Sequence, residues 1–244
     1  MFIIFSPSKG MNFNNKTIYD EKNKYIFQKK YEEIYNKLKE YKKVDIANIM
    51  KIKNQILENV YNSLHKNTTN NYFPAILAYN GIAYKNLDIK SYDDTMIYYL
   101  NQHLLILSAL YGINKPYDLI SYYRLDMTMK IFENMSLYKF WKDDINKYIE
   151  INSTDDIIIN LASKEFSKLI NRKKYKVIDI EFKELSNGKL KSIATNSKKM
   201  RGTMLDFMIK NKIKNHVLLK EFNINGYSFS YENSKENVYI FIKN

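Results

Sequence analysis

The chain begins with Phe2-Ile3-Ile4-Phe5, a short apolar run that ends in the turn Ser6-Pro7-Ser8-Lys9-Gly10. An apolar run bounded by turn residues is typical of a strand buried on both faces of a sheet. In α/β proteins the loop after such a strand often holds a ligand, and this loop offers hydroxyls, backbone amides and a lysine. The stretch therefore predicts a buried first strand, with Ser6, Ser8 and Lys9 as candidate phosphate-binding residues.

Two other interpretations of this loop stay open. The spacing from Ser6 to Lys9 matches Ser-x-x-Lys, the nucleophile pair of penicillin-binding proteins, but none of the partner motifs of that chemistry follows. An ordinary polar turn accounts for the same residues.

Apolar periodicity predicts the remaining elements. Helices are expected over 17–41, 45–64 with Asp45 as N-cap, 93–110 with Asp93 as N-cap and Gly112 as stop, 137–149, 163–170 and 196–209. Strands are expected at 75–79, 156–161, 176–182, 189–194, 227–231 and 238–242, with the hairpin turn Ser186-Asn187-Gly188. Strands at the beginning, middle and end with helices between them predict an α+β (mixed α/β) fold, a mixed β-sheet with surrounding helices.

The composition indicates one domain spanning 1–244. The chain has 244 residues with only three prolines and six glycines, and it offers no linker. It contains no cysteine, which excludes disulfides and thiolate metal sites. No signal peptide or membrane-spanning run is apparent, so we expect a cytoplasmic protein without a membrane partner. Nothing fixes the oligomeric state, and a monomer is favoured.

The charge points to a polyanionic partner. The formal net charge is +13, and residues 161–244 hold 18 basic and 8 acidic residues. Such a field attracts nucleic acid, and DNA is the expected partner. The alternative is that an AT-rich genome has inflated lysine together with asparagine, isoleucine and tyrosine.

The densest basic run lies at a predicted helix start, in Ser197-Lys198-Lys199-Met200-Arg201-Gly202. Cations there oppose the helix dipole, so a phosphate held by Lys198, Lys199 and Arg201 is a functional reason for placing them there. A solvated helix end is the structural alternative.

Other candidates are scattered between predicted elements. Asn160 and Ser163, which flank a strand-to-helix junction, and Arg124, one of three arginines, are further candidates for phosphate or DNA binding. Asp126, Glu165 and His103 would handle protons if the protein were an enzyme. Helix capping explains Ser163 equally well, and a histidine amid apolar neighbours is most often a core residue. The three histidines show no metal-ligand spacing, so neither a metal nor a cofactor is expected.

Taken together, these motifs resemble the YaaA family of bacterial peroxide-stress proteins. The matching stretches are Ser-Pro-Ser-Lys at 6–9, Ala-Ile-Leu-Ala-Tyr-Asn-Gly at 75–81, Gln-His-Leu at 102–104, Leu-Ser-Ala-Leu-Tyr-Gly at 107–112, Lys115-Pro116, Asp118-Leu119, Tyr-Arg-Leu-Asp-Met at 123–127, Phe140-Trp141, Ile-Asn-Leu-Ala-Ser at 159–163, Lys-Lys-Met-Arg-Gly at 198–202 and Phe-Asn-Ile-Asn-Gly-Tyr at 222–227. The chain departs from the family pattern at Ile82, Leu105 and Lys115, where the family usually has an acid and two arginines.

The resemblance implies a fold peculiar to this family, a basic cleft that includes Lys115, and a helix-hairpin-helix-like element, best placed at Leu104–Leu119. It also implies DNA binding, mostly without sequence specificity, and a role in limiting intracellular free iron and oxidative DNA damage. The alternative is an enzyme acting on a phosphorylated or nucleotide-like small molecule in the same cleft. Binding is favoured over catalysis.

Overall fold

A computed structural model describes residues 1–13, 25–65 and 72–243. The helices are α1 (Gln28–Glu40), α2 (Lys43–Met50), α3 (Asn54–His65), α4 (Ala75–Ala78), α5 (Asp94–His103), α6 (Leu137–Asn152), α7 (Lys164–Ser167) and α8 (Ala194–Lys210), with 3-10 turns at Tyr84–Asn86, Ile89–Ser91 and His216–Glu221. The strands are β1 (Phe2–Phe5), β2 (Phe73–Pro74), β3 (Leu104–Ser108), β4 (Gly112–Asn114), β5 (Leu119–Ile120), β6 (Ile157–Asn160), β7 (Lys176–Ser186), β8 (Lys189–Lys191), β9 (Asn223–Ile224), β10 (Tyr227–Phe229) and β11 (Val238–Lys243).

One mixed sheet organises the described residues. Its strand order is β4-β3-β1-β6-β7-β11-β10-β9, with β8 paired to β7, and β2 and β5 form a separate two-stranded sheet. The five strands from β3 to β11 are parallel, and the strands at the two ends of the order are antiparallel. The predicted fold class is confirmed, with helices around a mixed sheet and one contiguous hydrophobic core.

The first strand lies in the middle of this sheet. All four residues of β1 are buried, as its apolar run predicts, and Ile4 is in register with Leu105 on one side and Asn160 on the other. The chain leaves β1 for β3 on one side and later enters β6 on the other. Such a reversal separates the loops at the carboxyl ends of the two strands and opens a crevice between them.

The predicted helix over 45–64 is wrong as a single helix. The chain turns at Lys51, whose φ of 52° places it in the left-handed region, and α3 starts afresh at Asn54. Asp45 is not the N-cap; it lies inside the first turn of α2, where its carboxylate accepts a hydrogen bond from the Lys42 amide at 3.1 Å. Apolar spacing alone does not show such a break because Ile52 is itself buried.

Two further segments differ in type from their prediction. Residues 75–79, predicted as a strand, form the single helical turn α4, closed by the Tyr79 amide on the Ala75 carbonyl. Asp93 does cap α5, accepting from the Met96 amide at 2.8 Å, but the helix ends at His103. The apolar run that follows is the fully buried strand β3.

The predicted placement of the helix-hairpin-helix-like element at Leu104–Leu119 is therefore wrong. Those residues form β3 and its antiparallel partner β4, with Gly112 at φ 73° inside β4 and not at a helix end. Of the predicted helix over 17–41, residues 17–24 lie outside the described residues, and α1 covers most of the remainder.

The other elements are confirmed to within a few residues, including α6, α8, the β7–β8 hairpin and the C-terminal strands. Among the described residues, no helix has the length and apolar character that a bilayer crossing requires.

Candidate functional site

A cavity of about 580 Å³ opens at the carboxyl ends of β1 and β6, where the strand order reverses. Four segments and one helix surround it: the loop 6–10 after β1, residues 81–84, residues 123–129, the β6–α7 junction and the first half of α8. This is the place where open α/β sheets bind ligands. The fold thus brings most of the sequence-predicted site residues to one cavity.

Ser6 and Ser163 join the two strand ends. The Ser163 amide donates to the Ser6 hydroxyl oxygen at 2.8 Å, and the Ser6 hydroxyl donates to the Ser163 hydroxyl at 3.2 Å. The Tyr84 hydroxyl donates to the Ser6 carbonyl at 2.9 Å. Because the Ser6 hydroxyl hydrogen is used inside the protein, Ser6 shapes the loop rather than offering that hydrogen to a ligand.

Ser8 packs against the segment that begins at Gly81. Its hydroxyl oxygen accepts from the Gly10 amide at 3.1 Å, which tightens the loop. A Cβ at Gly81 would lie 2.4 Å from this oxygen and 3.0 Å from the Ser8 Cβ, so the two loops approach closely where glycine has no side chain. Gly81 belongs to the motif 75–81, but the sequence gives no signal of this contact.

Lys9 and Asp126 form an ion pair at the cavity mouth, with 3.2 Å between Nζ and Oδ2. The Lys9 side chain is 61% exposed and that of Asp126 only 14%. Arg124 reaches the same loop and donates to the Lys9 carbonyl at 3.1 Å. The two segments are thereby held together across 117 residues of sequence.

Asp126 stays ionised at neutral pH. Burial raises the pKa of Asp126, but the hydrogen bonds from Thr128 and Lys9 outweigh it and hold the pKa below the usual value. An ionised carboxylate accepts protons and hydrogen bonds only, so Asp126 does not serve as a general acid here. Glu165 also lines the cavity, and its Oε1 accepts from the Met127 amide at 3.0 Å.

Lys198 and Arg201 face the cavity from α8, one helical turn apart, whereas Lys199 does not line it. Burial lowers the pKa of Arg201, and the nearby carboxylates of Glu181 and Asp179 act in the opposite direction. Within the described residues, no carboxylate forms an ion pair with the Arg201 guanidinium, and its Nε is buried without a hydrogen-bond partner. An arginine does not lose its proton in a protein, so it brings to the wall of the cavity a positive charge that no carboxylate of the described residues pairs with directly.

Asn160 supports the site from behind. Its side-chain amide donates to Asp179 at 2.6 Å and its oxygen accepts from the Ala162 amide at 2.9 Å, which fixes the turn that leads to Ser163. Asn160 is buried and does not line the cavity. It is therefore a positioning residue and not one of the phosphate contacts anticipated from the sequence.

His103 and Lys115 lie at the opposite end of β1. His103 Nδ1 is 2.8 Å from the Met1 carbonyl, and burial lowers its pKa. Lys115 Nζ donates to the Asn101 carbonyl at 3.2 Å and lies 5.5 Å from the centre of the Phe2 ring. Both residues adjoin the amino end of the strand and do not line the cavity, so they cannot contact a ligand held inside it.

The apolar wall of the cavity was missed from the sequence. This apolar wall consists of the buried side chains of Tyr84 and Tyr123 together with Met129 and Phe166. The Tyr123 hydroxyl is 2.8 Å from that of Tyr79 and 2.9 Å from that of Ser108, in a buried chain of hydroxyls. The motif Tyr-Arg-Leu-Asp-Met contains Tyr123, but no sequence signal separates a wall residue from a core tyrosine.

The part of the chain that the structure covers shows no cluster of metal-binding side chains. No cluster of three or more histidine and carboxylate side chains is placed there to hold an ion.

The fold and the cavity define a class: a mixed α/β protein with a charged cavity at the carboxyl ends of its central parallel strands. The family model described as peroxide stress protein YaaA matches residues 1–233. A UPF0246 protein of Fusobacterium nucleatum is 41% identical over 248 residues, covering 100% of this chain and 99% of that protein. UPF0246 proteins of Francisella philomiragia and Francisella tularensis subsp. tularensis are 36% and 38% identical, with 100% of both chains covered. The chain belongs to the YaaA family of peroxide stress proteins, which confirms the resemblance.

Proposed function

We propose that this peroxide stress protein binds DNA by its phosphate backbone at the cavity mouth, mostly without reading sequence. The observation that carries the proposal is the Arg201 guanidinium, which lines the cavity and has no carboxylate partner among the described residues. A partly buried arginine that forms no direct ion pair favours an anionic ligand, and phosphate matches its planar fork of donors.

The surrounding charges support the same ligand. Lys198 lies one turn before Arg201, and Lys9 and Arg124 also line the cavity, against the two carboxylates of Asp126 and Glu165. The formal net charge of +13 adds a long-range attraction for any polyanion. Backbone contacts of this kind carry affinity but no sequence information.

In the cell this binding would protect DNA during peroxide stress. We also propose that the protein lowers free iron indirectly, without binding iron in the cavity. The described lining of the cavity combines cations with tyrosines and carries two carboxylates, which is a poor ligand set for an iron ion.

The test is a salt titration of duplex DNA binding by the wild type and by Lys198→Ala/Arg201→Ala. The logarithm of affinity falls with the logarithm of salt by about 0.9 per neutralised phosphate, so the double variant should flatten the slope by about 2. The matched control is Lys176→Ala/Lys214→Ala, which removes two charges at the amino end of the sheet; Lys176 begins β7, and Lys214 lies near His103. Equal slopes for the wild type and the cavity variant would contradict the proposal.

The alternative is an enzyme that acts on a phosphorylated or nucleotide-like small molecule in this cavity. The enclosed volume of about 580 Å³ and the Lys9–Asp126 pair at its mouth favour it. Incubation with a panel of such compounds, followed by mass spectrometry of the products, tests this alternative. Turnover that disappears in Lys9→Ala supports catalysis, and an unchanged panel rules against it.

A further inference from the structure

We infer that the cavity accommodates a single nucleotide, with its phosphate at Arg201 and Lys198 and its base against the apolar wall. In the DNA complex this nucleotide is turned out of the double helix. The inference rests on the proposed DNA binding and adds to it the part of the DNA that enters the protein.

The size of the cavity excludes a duplex from its interior. A volume of about 580 Å³ equals that of a cube roughly 8 Å on edge, whereas the major groove of DNA alone is about 12 Å wide. The volume does fall within the range of about 300–1,000 Å³ that is typical of small-ligand pockets. DNA that lies on the cavity mouth can therefore fill the cavity only with one extruded unit.

The lining combines two chemically different kinds of group. It includes the cations Lys198 and Arg201 and the apolar or aromatic side chains of Tyr84, Tyr123 and Met129. A nucleotide has the same combination, with an anionic phosphate at one end and a flat, largely apolar base at the other. A sugar phosphate would leave its hydroxyls against the apolar groups without hydrogen-bond partners, which is costly.

The carboxylates match the edge of a base. Asp126, held ionised, and Glu165 also line the cavity. Carboxylates accept hydrogen bonds, and the edges of nucleobases carry N–H donors. Near a bare phosphate the same two groups would only repel.

The apolar wall is fixed before any ligand arrives. The Tyr84 hydroxyl is hydrogen-bonded to the Ser6 carbonyl, and the Tyr123 hydroxyl contacts both Tyr79 and Ser108. Rings held in this way lose little conformational freedom on binding, so the wall is preorganised for a flat group.

Two sources supply the same chemistry, a free nucleoside monophosphate and a nucleotide turned out of a strand. The experiment uses duplexes in which one 2-aminopurine is either paired or placed in a single-nucleotide bulge, with dAMP, dCMP, dGMP and dTMP as free ligands. Extrusion of a paired base costs a few kcal/mol that a bulged base has already lost, so the bulged duplex should bind at least about tenfold more tightly. The fluorescence of the bulged 2-aminopurine should change on binding.

A filled cavity provides the matched variant. Met129→Trp extends the apolar wall into the cavity without changing charge, and Met96→Trp changes an equally half-buried methionine on α5, away from the cavity. Met129→Trp should remove the preference for the bulge and keep the salt slope of duplex binding, whereas Met96→Trp should keep both. Equal thermal melting of the two variants shows that both are folded.

The outcomes separate the inference from the proposed function. If mononucleotides stabilise the protein against thermal unfolding and compete with bulged DNA, a nucleotide occupies the cavity. If mononucleotides stabilise the protein but no DNA binds, the proposed function and the extrusion are both overturned, and the cavity binds free nucleotides. Equal affinity for both duplexes, unchanged fluorescence and no mononucleotide binding overturn the inference, while a normal salt slope leaves the proposed function standing.

Discussion

Gly202 lies so close to Ala83 that a Cβ on Gly202 would be 2.0 Å from the Ala83 carbonyl oxygen. The backbone of α8 therefore rests directly on the segment 81–84. Arg201 precedes this contact by one residue and Lys198 by one helical turn, so the contact sets how far both cations reach over the cavity.

Gly202→Ala should destabilise the protein and displace these cations. The added methyl meets backbone and not a side chain that can rotate away, so we expect a loss of about 1–3 kcal/mol in the free energy of unfolding. Urea denaturation measures this loss, and the salt titration of DNA binding should show a flatter slope for the folded variant.

Gly10→Ala is the control for this substitution. A Cβ at Gly10 would have its nearest neighbour at 3.5 Å, an ordinary contact. If the two variants unfolded at the same urea concentration, the tight packing of α8 would not be the reason for glycine at position 202.

The sequence predicts a strand where an apolar run or a turn signal has one simple interpretation. Phe2–Phe5 could be identified because a wholly apolar run followed by turn residues has one simple interpretation. The β7–β8 hairpin could be identified because Asn-Gly favours a turn with two positive φ angles, and Asn187 and Gly188 both adopt positive φ. Leu104–Ser108 was missed because an apolar run directly after a helix continues the helical pattern equally well. Only the register with β1, a long-range contact, makes it a strand.

The site was predictable where chemistry and loop position coincide. Lys9, Lys198 and Arg201 follow strand ends or open a helix, and all three reach one cavity. His103 was misplaced because sequence does not show which end of β1 it adjoins. The pairing of Ser6 with Ser163 joins residues 157 apart and has no local signal at all.

Ser108→Ala should cost about 1–3 kcal/mol in the free energy of unfolding, because it leaves buried donors without an acceptor. The Ser108 hydroxyl oxygen is fully buried and accepts from the amides of Leu110 at 3.2 Å and Tyr111 at 3.1 Å. Chemical denaturation measures the cost. Ser91→Ala, which removes an exposed hydroxyl that donates to the Asp88 carbonyl, should change the same quantity by less than about 0.5 kcal/mol.

Gly112→Ala should be more destabilising than Gly188→Ala although the two glycines have nearly the same φ, 73° and 69°. Both substitutions pay about 1–2 kcal/mol for a left-handed residue. Only at Gly112 would the Cβ lie 2.7 Å from the rings of Phe27 and Trp141, whereas nothing lies within 4 Å at Gly188. Overpacking adds about 1–3 kcal/mol at Gly112 alone.

Fluorescence of Trp141, the single tryptophan, provides the measurement for this pair. The ring is fully buried and its Nε1 donates to the Ala109 carbonyl at 2.9 Å, so emission should shift to longer wavelength on unfolding. Equal denaturation midpoints for the two alanine variants would show that the core around Trp141 yields to the extra methyl.

Asp179→Asn should lower the free energy of unfolding at neutral pH by about 1 kcal/mol. The cost is modest because the ion pair between Asp179 and Arg172 is partly exposed. Burial raises the pKa of Asp179, but the bidentate bond from Arg172 and the bond from Asn160 outweigh it, so the pKa lies below its usual value. A carboxyl whose pKa is lower in the folded protein stabilises it above the pKa of the unfolded chain, about 3.9, and this stabilisation disappears as the pH falls through the folded value. The difference in the free energy of unfolding between wild type and variant should therefore be largest near pH 7 and shrink below about pH 4. Denaturation curves collected from pH 7 to pH 3 measure it, and a difference that stays constant over this range would show that the Asp179 charge contributes nothing to folding.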